Sequence, residues 1–230
     1  MRKIAAALFD VDGTLLNTAE FVYQACEHTF RIHGLPIRSR DEMALVMGKP
    51  LEECYRHLSP DGDPLQLCET HRAFQTENLH LSVPFPNTLK TLGKLRGAGV
   101  KIAAVTTRSR QSSIKTLEMS AILAYFDAII SGEDVDNCKP HPEPLLRALQ
   151  LLKVGPERSV MIGDTEADIL AGKNAGTKTI GVAYGFHGAK IAESHPDFVV
   201  EDIADIVPII LAGSAPLTYL PSLYHEGSYY

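Results

Sequence analysis

The segment DVDGT at residues 10–14 follows directly on the apolar run IAAALF at 4–9. Two aspartates one residue apart at the mouth of a buried strand repel each other and lose hydration, so a cation or a set of donors has to compensate them. Partners stand beyond other apolar runs: Thr106 after VKIAAV, Lys139 in NCKPHP after DAII, and Asp164 with Asp168 in GDTEAD after SVMI. If Asp10, Asp164 and Asp168 meet in one crevice, a divalent cation and one ammonium bring the local charge to about zero. Mg2+ fits this supply of oxygen ligands, because it keeps several waters and takes one or two carboxylates together with a substrate phosphate. Thr106 adds a hydroxyl suited to a phosphoryl oxygen. On this reading Asp10 is the attacking carboxylate, and Asp12, two residues on, handles the proton.

These residues need a scaffold that collects strand ends. Short, near-continuous apolar runs recur at 4–9, 100–105, 127–130, 159–162, 177–182 and 197–200, as expected of strands buried on both faces of a parallel sheet. Helical patterns fill the gaps: PNTLKTLGKLRGAG with Asn87 as candidate N-cap, HPEPLLRALQLL, and Thr165 to Ala175. The alternation predicts an α/β fold with a Rossmann-like, doubly wound parallel sheet, in which ligands bind beyond the carboxyl ends of the strands.

One interval departs from the alternation. Between residues 18 and 81 the pattern is helical throughout: a stripe of Phe21, Val22, Ala25, Cys26, Thr29 and Phe30 stopped by Gly34-Leu35-Pro36, a capping box of Ser39 and Glu42, a helix start at Pro50, and a further helix near 64–78. The expected organisation is a core of 1–17 and 82–212, a small all-helical cap of 18–81 inserted after the first strand, and an irregular tail of 213–230. LSVPFPN reads as the linker that returns the chain to the sheet.

The chain has 230 residues, 45% of them hydrophobic, with a formal net charge of -6. That is enough for a substantial core, and it offers no basic footprint for a nucleic acid. Cys26, Cys54, Cys68 and Cys138 form no C-x-x-C pair, and no H-E-x-x-H is present, so the reading is reduced thiols in a cytoplasmic protein without a zinc site. MRKIAAALF imitates a secretory signal, but its apolar part stops at Asp10 and reads as the first strand. No run reaches membrane-spanning length. The expected partner is a small phosphorylated metabolite, with no nucleic acid and no membrane, and the chain is expected to be a monomer or a homodimer.

DVDGT, the Thr106 of VTTRS, the lysine of CKP and GDTEAD, in this order and on these elements, resemble the four motifs of the haloacid dehalogenase superfamily. The resemblance covers about residues 1–212. It implies a core sheet of order 5-4-1-2-3 and a subfamily I helical cap, and Asp12, which true dehalogenases lack, points to the phosphatases. Carried over residue by residue, it implies Asp10 as nucleophile of an aspartyl-phosphate and Asp12 as general acid and then base. Mg2+ would be held by Asp10, the Asp12 carbonyl and Asp164, with Asp168 in support. Lys139 and Thr106 would steady the phosphoryl group. Gly13 and Thr14 would allow the turn that aims both aspartates inward, and backbone N–H groups there would face phosphate oxygens, which makes Gly13 a substrate-binding candidate. Thr107, Arg108 and the cap residue Lys49 are further candidates for substrate binding.

VTTRSR, KPHPEPLLRAL and AGKNAGTKTIGVA look most like the phosphoglycolate phosphatase and bacterial pyrophosphatase branch. Val22 occupies the place of the histidine of the related β-phosphoglucomutases, which disfavours a mutase. A phospho-ligand sensor without catalysis is the reading from a different class, and the intact Asp10, Asp12, Lys139 and Asp164 speak against it. AGKNAG lacks P-loop spacing and reads as the end of a helix, and His141 reads as a helix-start residue.

Overall fold

The computed structural model describes residues 3–212, and the expected irregular tail lies outside them. Strand β1 (Ala6–Phe9) is buried at every position, so its apolarity is continuous rather than alternating. Two-residue strands β2 (Leu16–Asn17) and β3 (Val83–Pro84) pair antiparallel, and β4 (Lys101–Val105), β5 (Ala128–Ile130), β6 (Ser159–Gly163), β7 (Lys178–Val182) and β8 (Phe198–Val200) follow. Apart from β2 and β3, the strands form one parallel sheet in the order β5-β4-β1-β6-β7-β8. Its first five members have the order that the resemblance implies, and β8 extends the sheet at one edge.

Between β2 and β3 the described elements are helical: α1 (Ala19–Ile32), α2 (Arg40–Ala44), α3 (Leu51–Leu58), α4 (Pro64–Glu77) and a 3₁₀ turn at Leu79–Leu81. Gly34, at φ +64°, follows the end of α1, and the Ser39–Glu42 capping box opens α2. Helix α4 starts with the Asp63 carboxylate accepting from Leu65 N–H and with Pro64 at its first turn. These helices share a core of their own around Phe30, Met43, Tyr55 and Leu67, with the Phe30 and Tyr55 rings edge to face at 6.0 Å.

The helices on the sheet are α5 (Thr88–Gly97), α6 (Arg110–Met119), α7 (Glu143–Leu152), α8 (Glu166–Ala175) and α9 (Ile206–Ala212). Odd and even positions of β1 serve opposite faces. Ala7 and Phe9 pack with Leu92 and Leu95 of α5 and Ile206 and Ile210 of α9, whereas Ala6 and Leu8 pack with Leu145 and Leu149 of α7 and Ala171 of α8. Truncation of Leu8 to alanine in such a two-sided core costs about 3 kcal/mol. Gly176, at φ +78°, ends α8, which accounts for AGKNAG as a helix terminus. Asn87 differs from the expectation. It stands before α5 in a left-handed conformation, its side chain caps nothing in the helix, and its amide donates instead to the Asp202 carboxylate at 2.8 Å.

Candidate active site

Register brings the strand ends together. Phe9 pairs with Ala104 on one side and Ile162 on the other, so Asp10, Thr106 and Asp164 emerge within one residue of each other at the carboxyl edge of three adjacent strands. The sheet order reverses direction at β1, the place where an open parallel sheet leaves a crevice. Asp10 is tied back by its own N–H, which donates to the Ile162 carbonyl at 2.9 Å.

Lys139 enters from the loop between β5 and α7. Its ammonium is buried and donates to Asp10 Oδ1 at 2.5 Å, Asp168 Oδ1 at 2.6 Å and the Val105 carbonyl at 3.0 Å. Burial disfavours its charge, but the two carboxylates prevail and hold it protonated above the usual lysine range. Asp168 also accepts from the Thr165 hydroxyl at 2.6 Å and N–H at 3.1 Å, closing a capping box at the start of α8. Both its oxygens are therefore engaged by the chain, and its direct work here is to hold Lys139.

Asp164 is fully buried, with Oδ1 accepting from the Thr14 hydroxyl at 3.0 Å and Oδ2 from Phe186 N–H at 2.7 Å. Gly13, at φ +78°, passes so close that a Cβ there would meet Asp164 Oδ2 at 2.3 Å, so the turn requires glycine for both conformation and room. Burial, with the charges of Asp10 and Asp168 adding to it, pushes the Asp164 carboxyl well above the ordinary range. Burial likewise raises Asp10 to about 7, opposed by Lys139 and assisted by the charges of Asp168 and Asp12.

Asp10, Asp164 and Asp168 each offer an oxygen within 4.8 Å of the others. Three carboxylates facing one ammonium leave two negative charges unbalanced, and all three donors are hard oxygens. The set fits a divalent cation of the magnesium type, and the raised carboxyls of Asp10 and Asp164 are the expected response of such a cluster without one.

Asp12 is turned to the other side. Arg108 holds it through a two-point fork, Nε to Oδ2 and Nη2 to Oδ1, each at 2.6 Å. Burial works against ionisation of Asp12, but this guanidinium overrides it and keeps the carboxyl below its ordinary value. Arg108 also donates to Thr116 Oγ1 at 2.9 Å and lies 5.6 Å from the centre of the Phe21 ring on α1. Thr106 Oγ1 accepts from Arg108 N–H at 3.2 Å, which leaves its own hydroxyl proton available.

A cavity of about 280 Å³ opens between this floor and the helices of 18–81, just below the usual range for small-molecule sites and so suited to a small ligand. Asp10, Asp12, Thr107 and Arg108 line it from below, and Met47, Lys49, Leu51, His71 and Arg72 from above. The roof touches the floor at Gly48, where an added Cβ would meet the Thr165 side chain at 2.9 Å, and at Phe186, which packs against the helical cluster. Lys49 lines the cavity as expected, but its ammonium is paired with Glu53 at 2.9 Å. His141 stays beside Glu143 at the start of α7, outside the cavity lining.

Sequence reasoning passed over Phe186, Arg72 and the hydroxyl of Thr14 as a donor to Asp164. Phe186 acts through a backbone N–H, which no residue type announces. Its position after the apolar run ending at Val182 was the available signal.

The family model for haloacid dehalogenase-like hydrolases matches residues 7–182. A protein from Bacillus cereus (strain Q1) named pyrophosphatase PpaX is 34% identical over 210 residues, covering 90% of this chain and 97% of that one. Among solved structures, a predicted phosphoglycolate phosphatase from Haemophilus somnus superposes with a TM-score of 0.82 at 25% identity, covering 91% of this chain and 99% of its own. CbbY from Rhodobacter sphaeroides, solved in complex with phosphate, gives 0.76 at 27% identity over 88% of this chain and 96% of its own. Together with the four motifs gathered on one strand edge, these matches show that the chain belongs to the haloacid dehalogenase-like hydrolases and is a phosphatase of their subfamily I type.

Proposed function

We propose that the chain is a Mg2+-dependent phosphatase that hydrolyses a small phosphorylated metabolite, a phosphoglycolate-like monoester, through an aspartyl-phosphate on Asp10. The observation that carries this reading is the convergence of Asp10, Asp164, Asp168 and the Lys139 ammonium in one buried cluster, with Asp12 beside it at the cavity floor. When bound by Asp10, Asp164 and the Asp12 carbonyl, with Asp168 behind, Mg2+ supplies positive charge that lets Asp10 ionise and draws charge from the phosphoryl oxygens.

An Asp10 oxygen attacks phosphorus while the bond from phosphorus to the leaving oxygen breaks, and protonated Asp12 gives its proton to that oxygen. Asp12 then takes a proton from water, the water oxygen attacks phosphorus, and inorganic phosphate leaves with Asp10 restored. Lys139, Thr106 and the backbone around Gly13 hold the phosphoryl oxygens, so the charge that develops meets donors already in place. Arg108 favours the ionised, base form of Asp12, and its grip must loosen for the acid step. Thr107, Arg108 and Lys49 line the cavity wall, which supports their proposed role in meeting the rest of the substrate.

A pyrophosphatase is the second reading, favoured by the 34% identity to PpaX over nearly all of that protein; phosphate would then be the leaving group for the same residues. The chain is proposed to act without nucleic acid or membrane, as a monomer or homodimer in the cytoplasm. Among the described residues no helix is long and apolar enough to cross a membrane. The test is kcat/KM with Mg2+ across phosphoglycolate, pyrophosphate, hexose phosphates, nucleotides and β-glucose 1-phosphate. A preference for phosphoglycolate supports the first reading and a preference for pyrophosphate the second. Release of phosphate from none of them defeats both.

A further inference from the structure

The cations that line the cavity are not equivalent. Lys49 is paired with Glu53 at 2.9 Å, and Arg108 is forked onto Asp12 at 2.6 Å. Arg72 on α4 lines the same cavity, and among the described residues its guanidinium has neither an ion pair nor a hydrogen bond. Gln75, one turn further along α4 and half-buried, also lines the cavity with its side-chain amide unpartnered among the described residues. Positions three apart share a helix face, so these two groups form one donor-rich strip on the roof.

The floor opposite is built to take a phosphoryl group, and the walls between are largely apolar, from Val22, Met47, Leu51 and Phe186. An unpaired guanidinium in such a place presents a planar fork of donors whose geometry matches a carboxylate or a phosphate at two points. Arg72 is exposed at the cavity rim, and Glu52, the carboxylate that lines the same roof, is already paired with Arg56. A second anion on the substrate would therefore find the guanidinium open to it, whereas a sugar or another neutral leaving group would gain no charge pairing there.

We propose that Arg72 is a specificity-determining residue: it receives a second anionic group at the far end of the substrate, so the chain selects small molecules that carry a phosphoryl group at one end and a carboxylate or second phosphoryl group at the other. Gln75 supplies the neighbouring hydrogen bonds. The inference rests on the phosphatase reading for the orientation of the substrate, with its phosphoryl end at Asp10.

The experiment is calorimetric binding in the presence of Mg2+, in an Asp10→Asn background that stops turnover. Inorganic phosphate, glucose 6-phosphate, pyrophosphate and phosphoglycolate are each titrated with Arg72 intact, as Arg72→Gln and as Arg72→Lys. Arg72→Gln is expected to weaken pyrophosphate or phosphoglycolate about tenfold more than it weakens phosphate and glucose 6-phosphate, and Arg72→Lys to recover part of that loss. Whichever of the two ligands shows the excess loss identifies the second anion. A uniform loss across the four ligands, no loss for either two-anion ligand, or no binding of either overturns the proposal. Turnover is read separately on the chain with Asp10 intact: failure to release phosphate from any of the esters or pyrophosphate refutes the phosphatase reading, and the binding result on Arg72 stands apart from it.

Discussion

Arg108 and Asp12 face each other through two parallel hydrogen bonds of 2.6 Å, although they are 96 residues apart in the chain. The pair fixes the charge state of Asp12 and its direction. A general acid needs a proton, and Arg108 favours the form without one.

Replacing Arg108 should therefore move the pH profile. Its guanidinium lowers the Asp12 pKa, so Arg108→Met raises it, and Asp12 stays protonated to higher pH. The alkaline limb of kcat/KM is expected to shift upward, and the maximal rate to fall about tenfold to a hundredfold because Asp12 loses its orientation. An unmoved alkaline limb in a folded variant would contradict the acid role of Asp12.

Asp10→Asn should lower turnover by at least about a thousandfold with p-nitrophenyl phosphate as reporter. The fold should survive, because a neutral amide in place of a carboxyl already raised to about 7 removes charge repulsion in the cluster and leaves Lys139 bound to Asp168. Phosphate release together with the thermal midpoint checks both parts, and wild-type-like turnover would refute the nucleophile.

Loading the metal should expel protons. Asp10 is raised to about 7 and Asp164 well above its ordinary value, so below neutral pH the cluster without an ion carries protons that ligation must displace. Calorimetric titration of Mg2+ near pH 6.5 in buffers of different ionisation enthalpy should show release of about one proton per ion, and affinity that climbs with pH through neutrality. EDTA should silence the enzyme and Mg2+ restore it. Heats that do not depend on the buffer, or activity that survives EDTA, would contradict this account of the cluster.

His71 should make the fold acid-sensitive. It is buried against Tyr55, whose hydroxyl lies 2.8 Å from Nδ1, and burial pushes its pKa down to about 3. The unfolded chain titrates near 6.5, so the stability held by neutral His71 is fully present above that pH. It is lost as pH falls toward 3, by about 1.4 kcal/mol per unit. Urea unfolding at pH 7 and pH 5 should show the wild type losing about 2 kcal/mol more than His71→Gln between the two. Equal losses would mean that His71 is charged in the fold.

The sheet was legible because a strand covered on both faces has to be apolar at successive positions, as β1 and β6 are. The floor of the site followed from it, since Asp10, Thr106 and Asp164 each come directly after or one residue beyond such a run. Lys139 needed only a loop next to the same edge. The partners that stayed hidden depend on side-chain direction or on backbone groups. Arg108 was visible as a cation near Thr106 but not as a clamp on Asp12, and Phe186 contributes a main-chain donor. Lys49 stands where expected, yet Glu53 one helical turn on takes its charge. The pairing of β2 with β3 was equally unreadable, because two-residue strands carry no periodicity and LSVPFPN reads only as a linker.

That short ribbon matters for motion. Leu16 faces Pro84 and Asn17 faces Val83, so the outgoing and returning chains run side by side where they leave the sheet. Two crossings laced together would act as a single pivot, and a swing about it that opened the cavity would carry Lys49 and Arg72 together, since both lie in the chain between the two strands. Asp10 and Asp12 lie upstream of the pivot and stay with the sheet. If Lys49 and Arg72 meet the substrate as proposed, such a swing would move them while Asp10 and Asp12 kept their aim.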